Sequence, residues 1–480
     1  MHTAPSIIDL ALHTAHSLTG AYPAHGSLPP RRGKIKRLHS ADAGAGERSR
    51  LELAAFQYEM YRGNQQQFLE PHPGESDLEF EQRPYLRTLN VTRVIVDLLS
   101  GLYRLPVERK LDGGANEWRE FLNSAWNAES LDTLLLSVDR LVRLQGTVAV
   151  QPLWDGQALR YRIHPAHKFA VIADPADHGK ALAVITLGHS AHFDAHGNWR
   201  APDFADVWTA NEFVRVSGGK ILNRQQHGYQ RPPFAIFRDR HAIDAFWVEG
   251  RGRSLCHDNA VLNGRLSDLA QIVALQGFGV MEIVNPDPTQ ELKLGPGRAI
   301  AFRTGSDIPF GVNFKNPGAP IAELVDEIAE SIRHILLAQR VPEQALSVSV
   351  TSNASGVAIH AANSPVIEDR AERAKLFSAG ERELFAVTGA VASVHARLSL
   401  DALPSLRVNY AEIDLSRDLA DKREHDQWLL ERGLITPWQI LYRDNPDGFV
   451  SVEEAKAVWL KQREELMALG MFRNESAVTT

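Results

Sequence analysis

The stretch Ile321-Ala-Glu-Leu-Val-Asp-Glu-Ile-Ala-Glu-Ser-Ile-Arg-His-Ile-Leu336 decides how the chain is read. Ile321, Leu324, Val325, Ile328, Ile332, Ile335 and Leu336 recur at intervals of three and four, which makes one apolar stripe along a helix. Glu323, Asp326, Glu327 and Glu330 occupy its other faces, and Val341-Pro342 stops it, since proline has no amide proton to continue the ladder. Immediately upstream, Gly277 to Pro320 holds three short β-rich runs, Val280 to Val284, Arg298 to Phe302 and Phe310 to Phe314, cut by Pro and Gly. Before that, Ser254 to Leu275 is helical again, with Leu255, Val261, Leu262, Leu266, Leu269, Ile272 and Val273. The centre of the chain therefore reads as helix, small β insert, helix. Two striped helices joined in this way are too lightly covered to stand alone, so their stripes need neighbours.

Toward the C-terminus, Val341 to Asn363 is a polar loop of small residues. Pro365 then falls in the first turn of a long helix reaching about Arg397. Arg407 to Tyr410 is a brief strand. Helices follow at Asp418 to Glu431, Pro437 to Tyr442 and Val452 to Leu469, the last opened by a Ser451-x-x-Glu454 capping box.

Toward the N-terminus, Gln145 to Trp247 is antiparallel β. Strands are expected at Thr147 to Trp154, Leu159 to Ile163, Phe169 to Ile172, Ala183 to Leu187, Phe204 to Trp208 and Glu212 to Val216. Asp155-Gly156, His196-Gly197-Asn198 and Ser217-Gly218-Gly219 supply the turns. Before them lie amphipathic helices: one from Arg48, one capped by Asn90 and carrying Val91, Val94, Ile95, Leu98 and Leu99, and one from Trp118 to Leu144 that Gly146 ends. Met1 to Glu47 mixes small residues, Pro and the basic run Arg31-Arg32-Gly33-Lys34-Ile35-Lys36-Arg37, and reads as a mobile or partner-ordered arm.

Bulk composition narrows the function. A chain of 480 residues exceeds one compact core. Its 44% hydrophobic and 23% charged content is that of a globular protein. Cys256 is the single cysteine, which suits a reducing compartment. No apolar run reaches membrane-spanning length, and Asp9 interrupts any signal-peptide pattern at Ile7, Ile8, Leu10 and Leu12. With 52 basic and 59 acidic residues the net charge is −7. That argues against a tight DNA binder, which would carry a basic face, but not against a conduit through which DNA must slide.

In their order, these segments resemble the portal proteins of tailed bacteriophages. The residues that carry the resemblance are Tyr58-x-x-Tyr61-x-Gly63 followed by Asn90-Val-Thr-Arg-Val-Ile-Val-Asp97, and the helix–β–helix between Ser254 and Val341. To these are added Ser355-Gly356-Val357-Ala358-Ile359 before a long helix, then Ile413-Asp414-Leu415, Glu431-Arg-Gly-Leu-Ile-Thr436 and Val452-Glu-Glu-Ala455. The likeness covers about Leu51 to Leu469 and lies in the succession of pieces, since each alone is common. Residues before Arg48 match nothing in that family.

The resemblance implies an α+β chain divided as follows: an arm at 1–47, a helical and β wing at 48–252, and a first stem helix at 253–276. A small clip at 277–319, a second stem helix at 320–341 and a channel loop at 342–363 come next. The wing's long helix at 364–412 and a helical crown with its tail at 413–480 complete it. It also implies a virion protein, assembled in the host cytoplasm and lacking any active site or cofactor. It would form a ring of twelve copies at one capsid vertex, through which double-stranded DNA is packaged and ejected. Its partners would be the terminase large subunit, the major capsid protein, a head–tail adaptor and a scaffold protein.

Within that frame the channel loop would present Ser347, Ser349, Thr351, Ser352 and Asn353, uncharged groups able to touch a phosphate backbone without reading sequence. Lys293, Arg298, Arg303 and Lys315 of the clip would face passing phosphates, or else solvent or partners. For Glu323, Asp326, Glu327 and Glu330 two readings stand. They line the channel and repel phosphate, or they form a solvated or inter-subunit face pairing with Arg265 or Arg253.

The competing function is a metal-dependent hydrolase built on His189-x-x-His192-x-x-x-His196 with Asp194 between. A surface hairpin turn accounts for that cluster better, because no Cys and no His-Glu-x-x-His pattern accompanies it. His164-Pro-Ala-His167 is weaker still, and Gly250-Arg-Gly252-Arg-Ser254 lacks the lysine and spacing of a phosphate loop. A shorter kind of ring protein, a head–tail adaptor, is the third alternative.

Overall fold

A computed structural model describes residues 6–19, 46–71, 75–83, 85–188, 192–193, 199–200, 202–276, 280–284, 299–302, 311–315, 321–342, 356–411, 419–445, 449 and 451–468. The fold is α+β, and the chain forms two compact units, 1–349 with 365–411 and 350–364 with 412–480.

The first unit opens with α1 (Ile7–Thr19), where a mobile arm was expected. Ala11 and Ala15 are buried with Ile8, Leu12 and Leu18 beside them, so the arm's first residues carry an apolar stripe of their own. That stripe packs on one face of a five-stranded antiparallel sheet ordered β10-β9-β8-β5-β4: Lys220–Gln226, Glu212–Ser217, Ala205–Trp208, Ala181–Leu187 and Phe169–Ala173. The β9–β10 turn takes Gly218 and Gly219 at φ 54° and 78°, left-handed values that glycine adopts without steric cost. The edge strand β10 is exposed along its whole length, and its lack of an apolar alternation hides it in the sequence.

A second sheet, ordered β11-β2-β3 (Ala235–Arg238, Thr147–Trp154 and Leu159–His164), lies at the heart of the main core. The helices of this unit are α2 (Gly46–Arg62), α3 (Asp77–Glu81), α4 (Val91–Leu99), α5 (Asn116–Glu129), α6 (Leu131–Gln145), α7 (Gly252–Gln276), α8 (Ile321–Ala338) and α9 (Gly356–His395). Of these, α5, α6 and α9 share the core of this sheet, while α2, α4, α7 and α8 build a separate hydrophobic cluster. The single helix expected over Trp118 to Leu144 is two, broken at Ser130 with φ 47°. The stripe explains the break. Trp118, Leu122 and Ala125 share a face, but the next buried positions, Leu131, Leu135, Val138 and Val142, resume out of phase with it.

α9 begins nine residues before Pro365, so 356–363, expected to be loop, are helical and the proline sits inside the helix. Only one backbone hydrogen bond is lost there, the one its missing N–H would donate. β1 (Val107–Asp112) pairs antiparallel with β15 (Ser405–Tyr410). β6 (His192–Phe193) pairs with β7 (Trp199–Arg200). Between α7 and α8, β12 (Val280–Val284) pairs parallel with β13 (Ala299–Phe302) and antiparallel with β14 (Gly311–Lys315).

The second unit contains α10 (Leu419–Glu431), α11 (Pro437–Asp444) and α12 (Val452–Ala468). Arg443 grips Asp426 through two nitrogens at 3.0 and 2.6 Å, and Trp438 meets Trp459 at 5.5 Å.

Candidate functional site

The α7–α8 pair is the element on which a function would rest, and three sets of residues position it. The first is a polar column on the inner side of α7. The Oδ1 of Asn259 accepts from the backbone N and the hydroxyl of Thr92 at 2.9 Å each, and its amide donates to the carbonyl of Leu89. Asn263 accepts from the Leu89 N–H and donates to Gln65, and the Ser267 hydroxyl exchanges bonds with both backbone groups of Arg87. Residues 259, 263 and 267 are four apart, so they stack along one helix face and satisfy both the segment 87–90, which has no strand partner, and the first turn of α4. This column escapes a reading by apolar period, though an Asn-x-x-x-Asn-x-x-x-Ser row in an apolar helix is the visible signal.

The second set fixes where α7 begins. Gly146, Gly250 and Gly252 let two backbone runs cross. A Cβ on Gly146 would lie 1.9 Å from the carbonyl oxygen of Val248, and one on Gly252 would lie 2.2 Å from that of Leu144. The Gly250-Arg-Gly252-Arg motif is thus a crossing point and not a phosphate loop. Third, an ionic cluster of three arginines and three aspartates ties α6, α7 and α9 together. Arg143 bonds Asp369 and approaches Asp239, Arg251 bonds Asp369 at 2.5 Å, and Arg373 bonds Asp139 and Asp239. Burial and the neighbouring Arg373 push the Arg143 guanidinium down. Arg373 is held up, against its own burial, by Asp139 and Asp239.

The paired motifs near the N-terminus also converge on this support. The Asn90 side chain caps α4 through the Arg93 N–H at 2.9 Å and donates to the Tyr61 carbonyl at 3.0 Å. The Tyr61 hydroxyl donates to Asp97 at 2.7 Å, and burial together with that carboxylate pushes it up to about 12. These residues lock α2 to α4 and do no chemistry.

Outward, α8 divides cleanly. Ile328, Ile335 and Leu336 are buried where α8 packs on α7, in a hydrophobic cluster that extends to residues of α2 and α4, and Ile332 is packed beside them. The C-terminal half of the stripe thus finds its cover within the chain itself, where the sequence leads us to expect adjacent copies to supply it. What stays open is the N-terminal end, Ile321 and Val325, and Leu337, which is 75% exposed. All four acids are exposed. Glu327 pairs with Arg265 at 2.9 Å, and Glu330 pairs with Arg333 at 3.0 Å and with His334 at 3.2 Å.

Of the other expected contacts, Ser347, Ser349, Thr351, Ser352, Asn353, Lys293, Arg298 and Arg303 lie outside the described residues. Lys315 closes β14. His189, Asp194 and His196 lie outside them as well, while His192 falls in β6. Among the described residues no group of three or more His, Cys, Asp or Glu could hold a metal ion. His164 bonds Gln151 at 3.0 Å. His167 bonds Gln145 and stacks on Tyr58, and burial, with Lys168, Arg50 and Arg62 nearby, drives it from 6.5 down to about 3. Cys256 is buried and its thiol is pushed up accordingly.

A half-open cavity of about 420 Å³ is lined by Arg50, Gln57, Gln145, Trp247 and Arg253 among others. The Arg50 guanidinium there covers Trp247 at 3.5 Å and donates to the carbonyls of Ala166 and Phe169, so its donors serve the fold. No helix of the described residues is long and apolar enough to cross a membrane.

No protein-family model matches the sequence, and no curated protein matches it. Solved structures similar to it include two chains of gene transfer agent particles. A chain of the virion of a native gene transfer agent particle has a TM-score of 0.40 and 12% identity, covering 89% of this chain and 95% of that one. A chain from the neck of an empty gene transfer agent particle, computed with C6 symmetry, has a TM-score of 0.40 and 14% identity, covering 76% and 91%. At these values the likeness assigns no function, and the reading that follows rests on the residues.

Proposed function

We propose that this chain is a phage-type virion protein, the subunit of a portal ring that lets double-stranded DNA pass at one vertex of a capsid. Two helices joined by a three-stranded insert, set behind a helical and β body, occur in the order the resemblance calls for. In this reading α7 and α8 are the stem, β12 to β14 the clip, and the second unit belongs to the crown. The segment holding Ser347, Ser349, Thr351, Ser352 and Asn353 and the clip cations Lys293, Arg298, Arg303 and Lys315 lie along the DNA path. The protein itself does no catalysis. ATP hydrolysis belongs to a terminase motor that docks on the ring, as capsid, adaptor and scaffold proteins do.

The observation that carries this reading is the incomplete cover of α8. Its stripe is buried at Ile328, Ile335 and Leu336, yet Ile321 and Val325 at the stripe's N-terminal end and Leu337 on the opposite face are left to water, on a helix pair anchored by a polar column, a glycine crossing and an ionic cluster. Rigid support behind an incompletely covered face is what a subunit interface needs. Native mass measurement and electron microscopy of the purified chain test it. Closed rings with a central hole, twelve copies in the particle, are expected. A metal-bearing monomer would end the reading.

A further inference from the structure

The outer face of α8 and a second surface on the far side of α7 are matched in charge. Taking 100° per residue, Glu323, Asp326, Glu330 and Leu337 fall within about 60° of one another, opposite the buried Ile328 and Ile335. This face carries three acids against Arg333 and His334 of the same helix, while Glu327, outside that sector, is turned to Arg265 of α7.

The second surface is the run 85–94, which Arg104 extends at the far end of α4 by reaching the carbonyls of Asp97 and Leu98. Tyr85, Leu89, Val94 and Leu105 are exposed there at 44, 47, 46 and 40%, interleaved with the exposed Arg87, Arg93 and Arg104. Its one acid, Asp97, is shared by the Tyr61 hydroxyl, Arg140 and, at 3.6 Å, Arg93, so the arginines outnumber the carboxylate. Exposed apolar side chains set among unbalanced arginines are uncommon on a free surface and typical of an interface.

The two surfaces point in different directions. On α7, Asn263 and Ser267 hold the segment 87–89, while Arg265 reaches Ser331 and Glu327 of α8. Residue 265 is two positions from each, about 160° round the helix, so α8 and the 85–94 run flank α7 on opposite sides. A surface on one side that complements a different surface on the other cannot close a two-fold dimer. It joins copies head to tail, and such a contact closes into a ring when its rotation permits.

We infer that the acidic outer face of α8 in one copy docks on the Arg87–Arg93 surface of the next. This rests on the ring reading above and identifies the residues through which the ring forms. Glu323, Asp326 and Glu330 then act between subunits instead of repelling DNA.

The test uses the full chain and two variants, E323K/D326K and R87E/R93E, with circular dichroism and thermal melting to show that each folds like the parent. Each variant alone assembles only at a concentration on the order of tenfold or more above the parent. Mixed one to one, they assemble again, because the basic α8 face of the first variant fits the acidic 87/93 surface of the second, the two unaltered faces fit each other as in the parent, and the alternation gives rings with an even number of copies. If each variant alone forms rings at the parent's concentration, or the mixture fails to rescue them, this interface is overturned while the ring reading survives. A parent chain that stays monomeric overturns both. E323Q/D326Q/E330Q with normal assembly and altered packaging would assign the acids to DNA and also overturn the inference.

Discussion

Helices α8 and α9 carry apolar positions with the same three-and-four spacing and are treated oppositely by the fold. On α9, Arg373, Phe377, Glu381, Leu384, Thr388 and Val391 form one buried row, and even its charges are consumed. Arg373 is held by Asp139 and Asp239. Glu381 accepts from the hydroxyls of Tyr103 and Tyr410 at 2.8 Å and from Arg109 at 2.6 Å. On α8, the buried row stops at Ile328, Ile335 and Leu336, and the charges opposite it stay in water. Period tells which residues share a face, while saturation of the polar groups tells whether a face is finished. α9 is an axle of the first unit, whereas α8 keeps one side exposed.

The largest expected effect breaks the saturated side. Arg373→Met leaves Asp139 buried without its arginine and Asp239 with only the more distant Arg143, at 3.6 Å, and costs about 3–5 kcal/mol in chemical denaturation. A loss below about 1 kcal/mol would mean that the cluster is not the lock described here. Phe377→Ala, which opens a cavity beneath Phe237 and Tyr103, costs about 3–4 kcal/mol by the same measurement.

His167 sharpens the comparison through pH. Folded, it stays neutral down to about 3, while the unfolded chain binds a proton below 6.5. Protonation therefore favours unfolding. Stability is complete above pH 6.5 and falls by about 1.4 kcal/mol per pH unit between there and pH 3. His167→Gln removes that slope, which a pH series of denaturation midpoints would record.

The smallest effect lies on the unfinished side. Leu337→Ala changes protomer stability by no more than about 0.5 kcal/mol. Under the proposed interface it nonetheless weakens assembly, as concentration-dependent sedimentation would show. A cost near that of Phe377→Ala would erase the difference between the two helices.

Much of the fold is legible along the chain. The strands from Thr147 to Glu212, the Asn90 cap and the helices on both sides of the β12–β14 insert all follow from period, turn residues and caps. The break at Ser130 was hidden because two amphipathic helices in series look like one until their buried positions are compared in phase. β1 and β11 are only six and four residues long, and strand partners far along the chain specify them: β1 pairs with β15, nearly three hundred residues away. Of the site, the acids of α8 were visible as an acidic row, but whether they pair with Arg265 or stand free depends on which side of α7 the helix lies.

The amino-acid order by itself determined the helix–β–helix centre, the antiparallel middle and the absence of any recognisable catalytic motif, because each depends on neighbours a few residues apart. Tertiary structure alone decided which half of the α8 stripe is covered, which carboxylates meet which arginines and where matched charges face outward. Those outcomes depend on contacts between residues separated by tens to hundreds of positions. Only the folded path sets such distances.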